Sequence, residues 1–347
     1  MQLPDRPAPI PPETPRTGEE TVERLIFASV VAQRQGIYAT METIRDAALR
    51  HNPSVGIHST LIYQSGWFIH WAEGPRVAVR ALADRLATDR RHRAPLVVHY
   101  SLGPRNLTSP WSMALGSSSE GAAEMGRRVM HLRACMAEGL QFRPTSVIRR
   151  LTMPMRLPQA LRLPDPEKFH RVGLVAATGA SAYDLVGWLS NYFKAERYSL
   201  RVAGERGLDT ASDYVDFLRQ ELPCRVLAVS RVDLRHGMRR AFLPEWRFIA
   251  LLFSGSINKD AELVDLIDFS LRGLPSAPQL MAFAPDEAAL ERVASHAAAK
   301  GLRFAVAEPW RERDHAALWA RIDRELGEAG VPDSSGWYES RPDPSAP

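Results

Sequence analysis

A histidine stands among bulky apolar residues in the segment GWFIHWAEGP, residues 66–75. This short, mostly apolar run follows the hairpin signal Gln64-Ser65-Gly66 and predicts a β-strand over 67–73 that ends at an acidic-Gly-Pro turn, with His70 near its centre. A neutral imidazole offers one hydrogen-bond donor and one acceptor, and its ordinary pKa is about 6.5. Two interpretations follow: His70 contacts a ligand, or it is a core histidine bonded to a backbone carbonyl.

Other side chains that could do chemistry lie at the ends of predicted helices. Asn52 ends one helix before Pro53, and the cluster RRHR at 90–93 follows another. Asn52 either binds a ligand or stops its helix, and the basic cluster either steers a phosphate or complements the helix dipole. In the second half, the turn Thr-Gly-Ala-Ser (178–181) offers backbone N–H groups to a phosphate.

The segments SRVD (230–233) and SGSIN (254–258) also end strands, at the edge where open α/β sheets bind ligands. Capping and turn roles are the ordinary alternative for these Asp and Ser residues. The P-loop lysine and the three-glycine dinucleotide fingerprint are both missing. No Ser-His-Asp arrangement, carboxylate pair or metal-ligand spacing stands out among the ten histidines. The sequence therefore predicts no catalytic residue and no metal site, and leaves enzymatic activity open for the second half alone.

Composition restricts the class of protein. A length of 347 residues predicts two domains, and 45% hydrophobic with 24% charged residues is typical of a globular protein without membrane spans. The Pro-rich start has no signal-peptide core, so we expect a cytoplasmic location. Cys135 and Cys224 are far apart in sequence and in different predicted elements, which argues against a disulfide framework or a cysteine-based metal site. The net charge is only +4, and no stripe of basic residues with interleaved aromatic residues is present, so the sequence argues against nucleic-acid binding.

The first half has the order β-α-β-β-α-β-β, which predicts a ferredoxin-like five-stranded sheet with two helices. The predicted strands are 24–31, 57–63, 67–73, 96–102 and 111–115. The predicted helices are 38–51, 76–89 and a further one over 121–140.

The second half alternates apolar strands with helices, which predicts a doubly wound, mainly parallel α/β domain of Rossmann-like or flavodoxin-like type. The predicted helices are 183–193, 211–222, 261–271, 287–300 and 315–326. The predicted domain plan is a disordered arm (1–20), the ferredoxin-like domain with its helix (21–145), a Pro-rich linker (146–170), the α/β domain (171–330) and a disordered tail (331–347).

The segment from about residue 24 to 115 resembles the BLUF family, the flavin-binding blue-light sensors. The resemblance rests on ordered motifs: LIFASV, ALRHNPSVGIHSTLIY, SGWFIHWAEGP, AVRALADRLATDRRHR and PWSMAL. It implies a bound flavin, normally FAD, held between the two helices with its edge against the sheet.

In the family, a Tyr on the first strand and a Gln on the third form a hydrogen-bonded relay to the flavin. The matching positions here are Phe27 and His70. Phe27 has no O–H group, so the usual relay cannot operate. Two further departures from the family are Ala48, where many relatives have a polar helix residue, and His58-Ser59, where relatives have Thr-Gly. The bulkier His58 is expected to narrow the pocket.

Other family positions are kept by resemblance. The residues expected at the flavin are Phe27, His51, Asn52, Phe68, His70, Arg91 and His92, and the expected signalling residues are Trp111 and Met113. Trp67, Trp71 and Trp111 would be electron donors beside a flavin, and Trp71 is expected to face the other side of its strand.

The predicted function is a BLUF-like, FAD-binding sensory or regulatory protein that is light-insensitive or altered, and that signals through its C-terminal α/β domain. The alternative is a flavin-free module for dimerisation or for docking to a transcriptional regulator. The expected partners are a flavin and a second copy or a regulatory protein.

Overall fold

The computed structural model describes residues 20–32, 36–118, 120–140, 142–157, 169–204 and 209–330. The chain divides into two compact units, with the main boundary between Pro154 and Met155. The predicted arm, apart from Glu20, and the predicted tail lie outside the described residues. Within the described ranges, none of the helices has the length and apolar character that a membrane crossing requires.

The N-terminal unit contains the predicted five-stranded sheet. Its strands are β1 (Thr21–Val31), β2 (His58–Gln64), β3 (Trp67–Gly74), β4 (His92–Pro104) and β5 (Trp111–Ser117). They lie in the order β5-β2-β3-β1-β4. All neighbours are antiparallel except β2 and β5, which are parallel. The ferredoxin-like prediction is confirmed.

Two helices, α1 (Ile37–His51) and α2 (Arg76–Thr88), pack on one face of this sheet. Gly36, with φ 67°, precedes α1 in a left-handed conformation that glycine adopts without strain. Pro75 precedes α2, where its missing N–H leaves no unmade helical bond. Each helix buries one apolar stripe, so two separate apolar clusters form on the sheet face, one under each helix.

The region after the sheet is more helical than the sequence predicted. Helix α3 (Ala122–Ala137) is followed by α4 (Pro144–Thr152), which covers the first part of the predicted linker at 146–170. Pro144 begins α4 because proline is favoured in a first helical turn. The linker prediction is therefore wrong for 146–152, and residues 158–168 of it lie outside the described residues.

The C-terminal unit contains a mixed sheet in the order β12-β11-β10-β6-β9-β8-β7. Its strands are β6 (His170–Ala176), β7 (Arg197–Ala203), β8 (Thr210–Arg219), β9 (Leu222–Val229), β10 (Phe248–Leu252), β11 (Gln279–Ala284) and β12 (Phe304–Pro309). The neighbours from β9 to β12 are parallel, whereas β8 and β9 are antiparallel.

The predicted helix over 211–222 is wrong, because this segment is β8. A tight turn with positive φ at Gln220 and Glu221 joins β8 to β9. Val215 and Phe217 enter the apolar core, while Asp216 between them pairs with Arg225 on β9. That alternation across a strand accounts for the fold of the segment.

Helices cover both faces of the parallel part of this sheet. They are α5 (Ser181–Tyr192), α6 (Gly237–Phe242), α7 (Ile257–Leu271), α8 (Glu287–Ala299) and α9 (His315–Glu328). Helices α5 and α9 share one core with alternate residues of β10, such as Ala250. Ile249 and Leu251 point to the opposite face, where α7 and α8 pack together. The doubly wound prediction is confirmed for the parallel strands, and β7 and β8 extend the sheet beyond it.

Candidate functional site

His70 lies between the two apolar clusters of the N-terminal sheet. On β3 it pairs with Phe27 of β1 on one side and with Leu61 of β2 on the other. Phe27 belongs to the cluster under α2, and Leu61 belongs to the cluster under α1. His70 therefore lies on the sheet face between the two helices, where the resemblance implies a flavin.

The His70 side chain is buried and partly unsatisfied. It is 3% exposed, and its Nε2 atom has no hydrogen-bond partner among the described residues. The Phe27 ring packs edge-on against it, with 5.0 Å between ring centroids. Burial, with a smaller contribution from the charge of nearby His92, lowers the pKa of His70 to about 3. His70 is therefore a neutral imidazole at physiological pH.

Asn52 and Ser59 form a polar pair on the sheet face that carries His70. Asn52 directly follows α1 and is buried, and its Nδ2 donates to Ser59 Oγ at 2.9 Å. Ser59 pairs in register with Trp111 of β5. The resemblance leads us to expect a glycine at position 59. The Ser59 hydroxyl found there accepts a hydrogen bond from one of the two N–H groups of the Asn52 amide. His58 is on the opposite face of β2, and its Nδ1 contacts Leu107 O at 2.7 Å, so it does not narrow the space under α1.

His92 closes the other end of this face. Its Nδ1 lies 2.8 Å from Ser29 Oγ, and its ring packs on Phe68 with 5.2 Å between centroids. Its Nε2 is buried without a hydrogen-bond partner in the described residues. Burial lowers the pKa of His92, although the nearby Asp89 carboxylate opposes that shift. We call Ser29, Asn52, Ser59, His70, His92 and Trp111 the polar seam.

Two of the predicted polar flavin residues are not part of this seam. The His51 side chain is exposed at the end of α1. Arg91 is half-buried, and its guanidinium is held by Asp89, with Nε 2.9 Å from Oδ1. The pairing neutralises much of the positive charge that the sequence offered to a phosphate.

The predicted signalling residues share the face of His70, while two other tryptophans do not. Trp111 and Met113 on β5 belong to the cluster under α1, and the rings of Trp111 and His70 have centroids 6.3 Å apart. Trp67 donates from Nε1 to Ala122 O at the start of α3, and Trp71 donates to Glu73 Oε1. The expectation that Trp71 faces away is confirmed, and Trp67 shares that side.

The polar seam fits a polar planar ligand. Two of its ring nitrogens, His70 Nε2 and Trp111 Nε1, are buried without a hydrogen-bond partner in the described part of the chain, and a third, His92 Nε2, lies 3.9 Å from Asp89 Oδ2. Buried polar atoms are nearly always satisfied in folded proteins, so His70 Nε2 and Trp111 Nε1 on one face are consistent with a missing partner. An isoalloxazine ring, with carbonyl and nitrogen acceptors at its edge, supplies such partners.

Comparison with known proteins agrees with this geometry. Residues 22–114 match the BLUF family, described as sensors of blue-light using FAD. This part of the chain is a BLUF domain. Two curated relatives from Euglena gracilis, the photoactivated adenylate cyclase subunit beta-like proteins ST- and FB, are 31% identical over 102 residues and 29% identical over 152 residues. Those matches cover 29% and 41% of this chain but only 12% and 17% of the relatives.

Solved structures are also similar to the chain. The dark state of BlrB, a BLUF protein, is 26% identical, with a TM-score of 0.25 over 28% of this chain and 74% of that one. A manganese and cyclic-di-GMP complex of Klebsiella pneumoniae BlrP1 is 15% identical, with a TM-score of 0.25 over 87% of this chain and 79% of that one.

Sequence reasoning missed Ser29 and Glu73. Ser29 is the one polar residue in the apolar run LIFASV, a signal that it meets a partner. Glu73 is fully buried and accepts from Trp71 Nε1 and from the backbone N–H groups of Asn106 and Leu107. It ties the end of β3 to the loop that precedes Trp111.

Proposed function

We propose that the BLUF domain holds FAD along the polar seam between α1 and α2, and that the chain is a sensory or regulatory protein with an altered light response. The observation that carries the proposal is His70, a buried neutral imidazole with an unsatisfied Nε2 between the two helices. Its neighbours Asn52 and Trp111 supply further polar atoms on the same face.

The residues of the seam have distinct roles in this proposal. A bound flavin would supply a chromophore that absorbs blue light and accepts an electron. Asn52 and His70 hold its polar edge, and Phe68 packs beside it. Phe27 lines the site but cannot donate a proton, because a phenyl ring has no O–H group. A neutral imidazole makes one donor bond at a time and cannot exchange donor and acceptor as a glutamine amide does. The chain therefore lacks the usual relay of the family.

The C-terminal α/β unit is proposed as the part that carries or receives the output, joined to the BLUF domain near residue 154. The BLUF domain itself is a sensor without catalysis. We further propose a cytoplasmic location and a homodimer or regulatory protein as partner, with neither membrane nor nucleic acid involved.

A spectrum of the purified chain tests the proposal. We expect a yellow protein whose absorbance does not shift reversibly under blue light. The double variant Phe27→Tyr, His70→Gln, loaded with FAD, is expected to gain a reversible shift, while Trp71→Phe on the opposite face serves as a control that does not. A reversible shift in the unsubstituted protein would contradict the assigned roles of Phe27 and His70.

One observation favours the alternative, a flavin-free interaction module. Ser59 Oγ already accepts one N–H of Asn52, the side chain best placed to bind the flavin edge. A domain that had lost its ligand would gain from such an internal bond. Protein that stays colourless after reconstitution with excess FAD would support this alternative and refute the flavin proposal.

A further inference from the structure

A cleft of about 410 Å³ lies in the C-terminal unit at the carboxyl ends of its parallel strands. Loops after β6, β10, β11 and β12 all line it. Strands β6 and β10 are neighbours in the sheet. After β6 the next parallel strand is β9, which lies on the far side of β6 from β10, and after β10 the next strand is β11, which lies on the far side of β10 from β6. The loops after β6 and β10 therefore diverge. Ligands of open α/β sheets bind in the crevice that such a reversal creates.

Two aromatic residues form fixed walls of this cleft. Phe253 follows β10 and is 3% exposed, and Trp310 follows β12 and is 7% exposed. Phe253 packs against Phe304, and Trp310 Nε1 donates to Asp314 O at 3.1 Å. Rings held in this way are preformed surfaces for a planar, apolar group, and the volume is in the range of small-molecule sites.

The rim of the cleft carries groups of both charges. Arg311 directly follows Trp310, and within the described ranges its guanidinium makes no ion pair or hydrogen bond. Glu312 has one carboxylate oxygen, Oε1, that accepts from Ser181 Oγ at 3.2 Å. A ligand that suits the rim has an anionic group for the guanidinium and hydroxyl or N–H donors for the carboxylate.

The first turn of α5 adds to the positive side of the rim. Ala180 stands at the N-cap of α5 and has no side chain that could accept from the first-turn N–H groups. Gly179 before it has φ 70° and open space where a Cβ would lie. Arg311 and the first turn of α5 line the same cleft, so both add positive potential for an anionic group bound there, beside the Glu312 carboxylate.

We propose that this cleft binds a nucleoside monophosphate: Phe253 and Trp310 contact the base, Glu312 accepts from the ribose hydroxyls, and Arg311 with the start of α5 holds the phosphate. The cleft is built from the C-terminal unit alone, so the proposal is independent of flavin binding.

Calorimetric titration of the full chain with AMP and GMP tests the proposal, with adenosine and inorganic phosphate as partial probes. We expect saturable binding of at least one nucleotide, and weaker binding of both partial probes. Arg311→Ala should weaken nucleotide binding about tenfold, the size of one lost charge-assisted contact. Its matched control is Arg324→Ala, an exposed arginine on α9 outside the cleft.

The isosteric Glu312→Gln separates the sugar contact from the phosphate contact. It should weaken AMP but leave the 2′,3′-dideoxy analogue unchanged, because that analogue offers no ribose hydroxyls. Overlapping circular dichroism spectra will establish that the variants fold. The proposal is overturned if neither nucleotide saturates the wild-type chain, if Arg311→Ala and Arg324→Ala have equal effects, or if adenosine binds as tightly as AMP.

Discussion

The neutral state of His70 predicts how the stability of the BLUF domain depends on pH. Burial lowers the pKa of His70 to about 3 in the folded chain, against 6.5 for an unperturbed histidine. As the pH falls below 6.5, the unfolded chain takes up a proton that the folded chain refuses, so stability is kept above pH 6.5 and lost between 6.5 and about 3. At a pH about two units below 6.5 this loss amounts to about 2.7 kcal/mol, since one pKa unit corresponds to about 1.36 kcal/mol.

The perturbation is His70→Gln, which places a side chain that does not titrate at the same position. Hydrogen exchange of the β1 and β3 amides, corrected for its intrinsic pH dependence, gives the free energy of opening at about pH 7.5 and about pH 4.5. The wild-type value should fall by about 2.7 kcal/mol more than that of the variant. His51→Gln is the matched control, because the His51 side chain is exposed to solvent in the folded chain as it is in the unfolded chain. Equal losses in wild type and His70→Gln would refute the assignment of His70 as a buried neutral group.

Three further predictions concern single side chains. With FAD bound, Trp111→Phe should raise flavin emission severalfold by removing an electron donor on the His70 face, whereas Trp67→Phe on the other face should not; equal emission from both variants would contradict this. Ser59→Gly frees the Asn52 amide, and because a neutral hydrogen bond contributes about 1 kcal/mol it should tighten FAD binding about fivefold in a flavin titration; unchanged or weaker binding would count against Asn52 as a flavin contact. Gly173→Ala would place a Cβ in steric conflict with the Trp246 ring and should lower the free energy of unfolding of the C-terminal unit by about 3 kcal/mol in urea denaturation, whereas Gly187→Ala in α5 should not; similar midpoints for the two variants would show that the Trp246 ring moves aside at little cost.

The N-terminal fold was predictable because short, mostly apolar strand runs alternate along the chain with segments of helical spacing, and a turn signal joins β2 to β3. The C-terminal unit was harder at β8, where Ala211, Val215, Leu218 and Leu222 also satisfy a helical spacing. The pairing of Asp216 with Arg225 on the next strand decides for the strand, and it is visible only once the two strands meet. Helix α4 was missed because its buried residues include Arg149 and Arg150, and charged residues do not contribute to the apolar spacing by which a helix is predicted.

At the candidate site, the sequence singled out His70 but did not show the contacts around it. Ser29 and His92 are 63 residues apart and meet only because β4 lies beside β1. The bond between Asn52 and Ser59 was equally hidden, because it depends on how the end of α1 sits over β2. Long-range contacts of this kind follow from the packing of elements rather than from local pattern.

Phe27 and His70 are cross-strand partners, each forming a wall of the other's site. Changing one residue alters the energetic cost of changing the other, and contacts of this sort have coupling energies of about 0.5–3 kcal/mol. The stability changes of Phe27→Tyr and His70→Gln are therefore not expected to add up to that of the double variant. Each of the two positions sets the surroundings of the other, so a tyrosine placed at 27 meets a different site beside His70 than beside a glutamine.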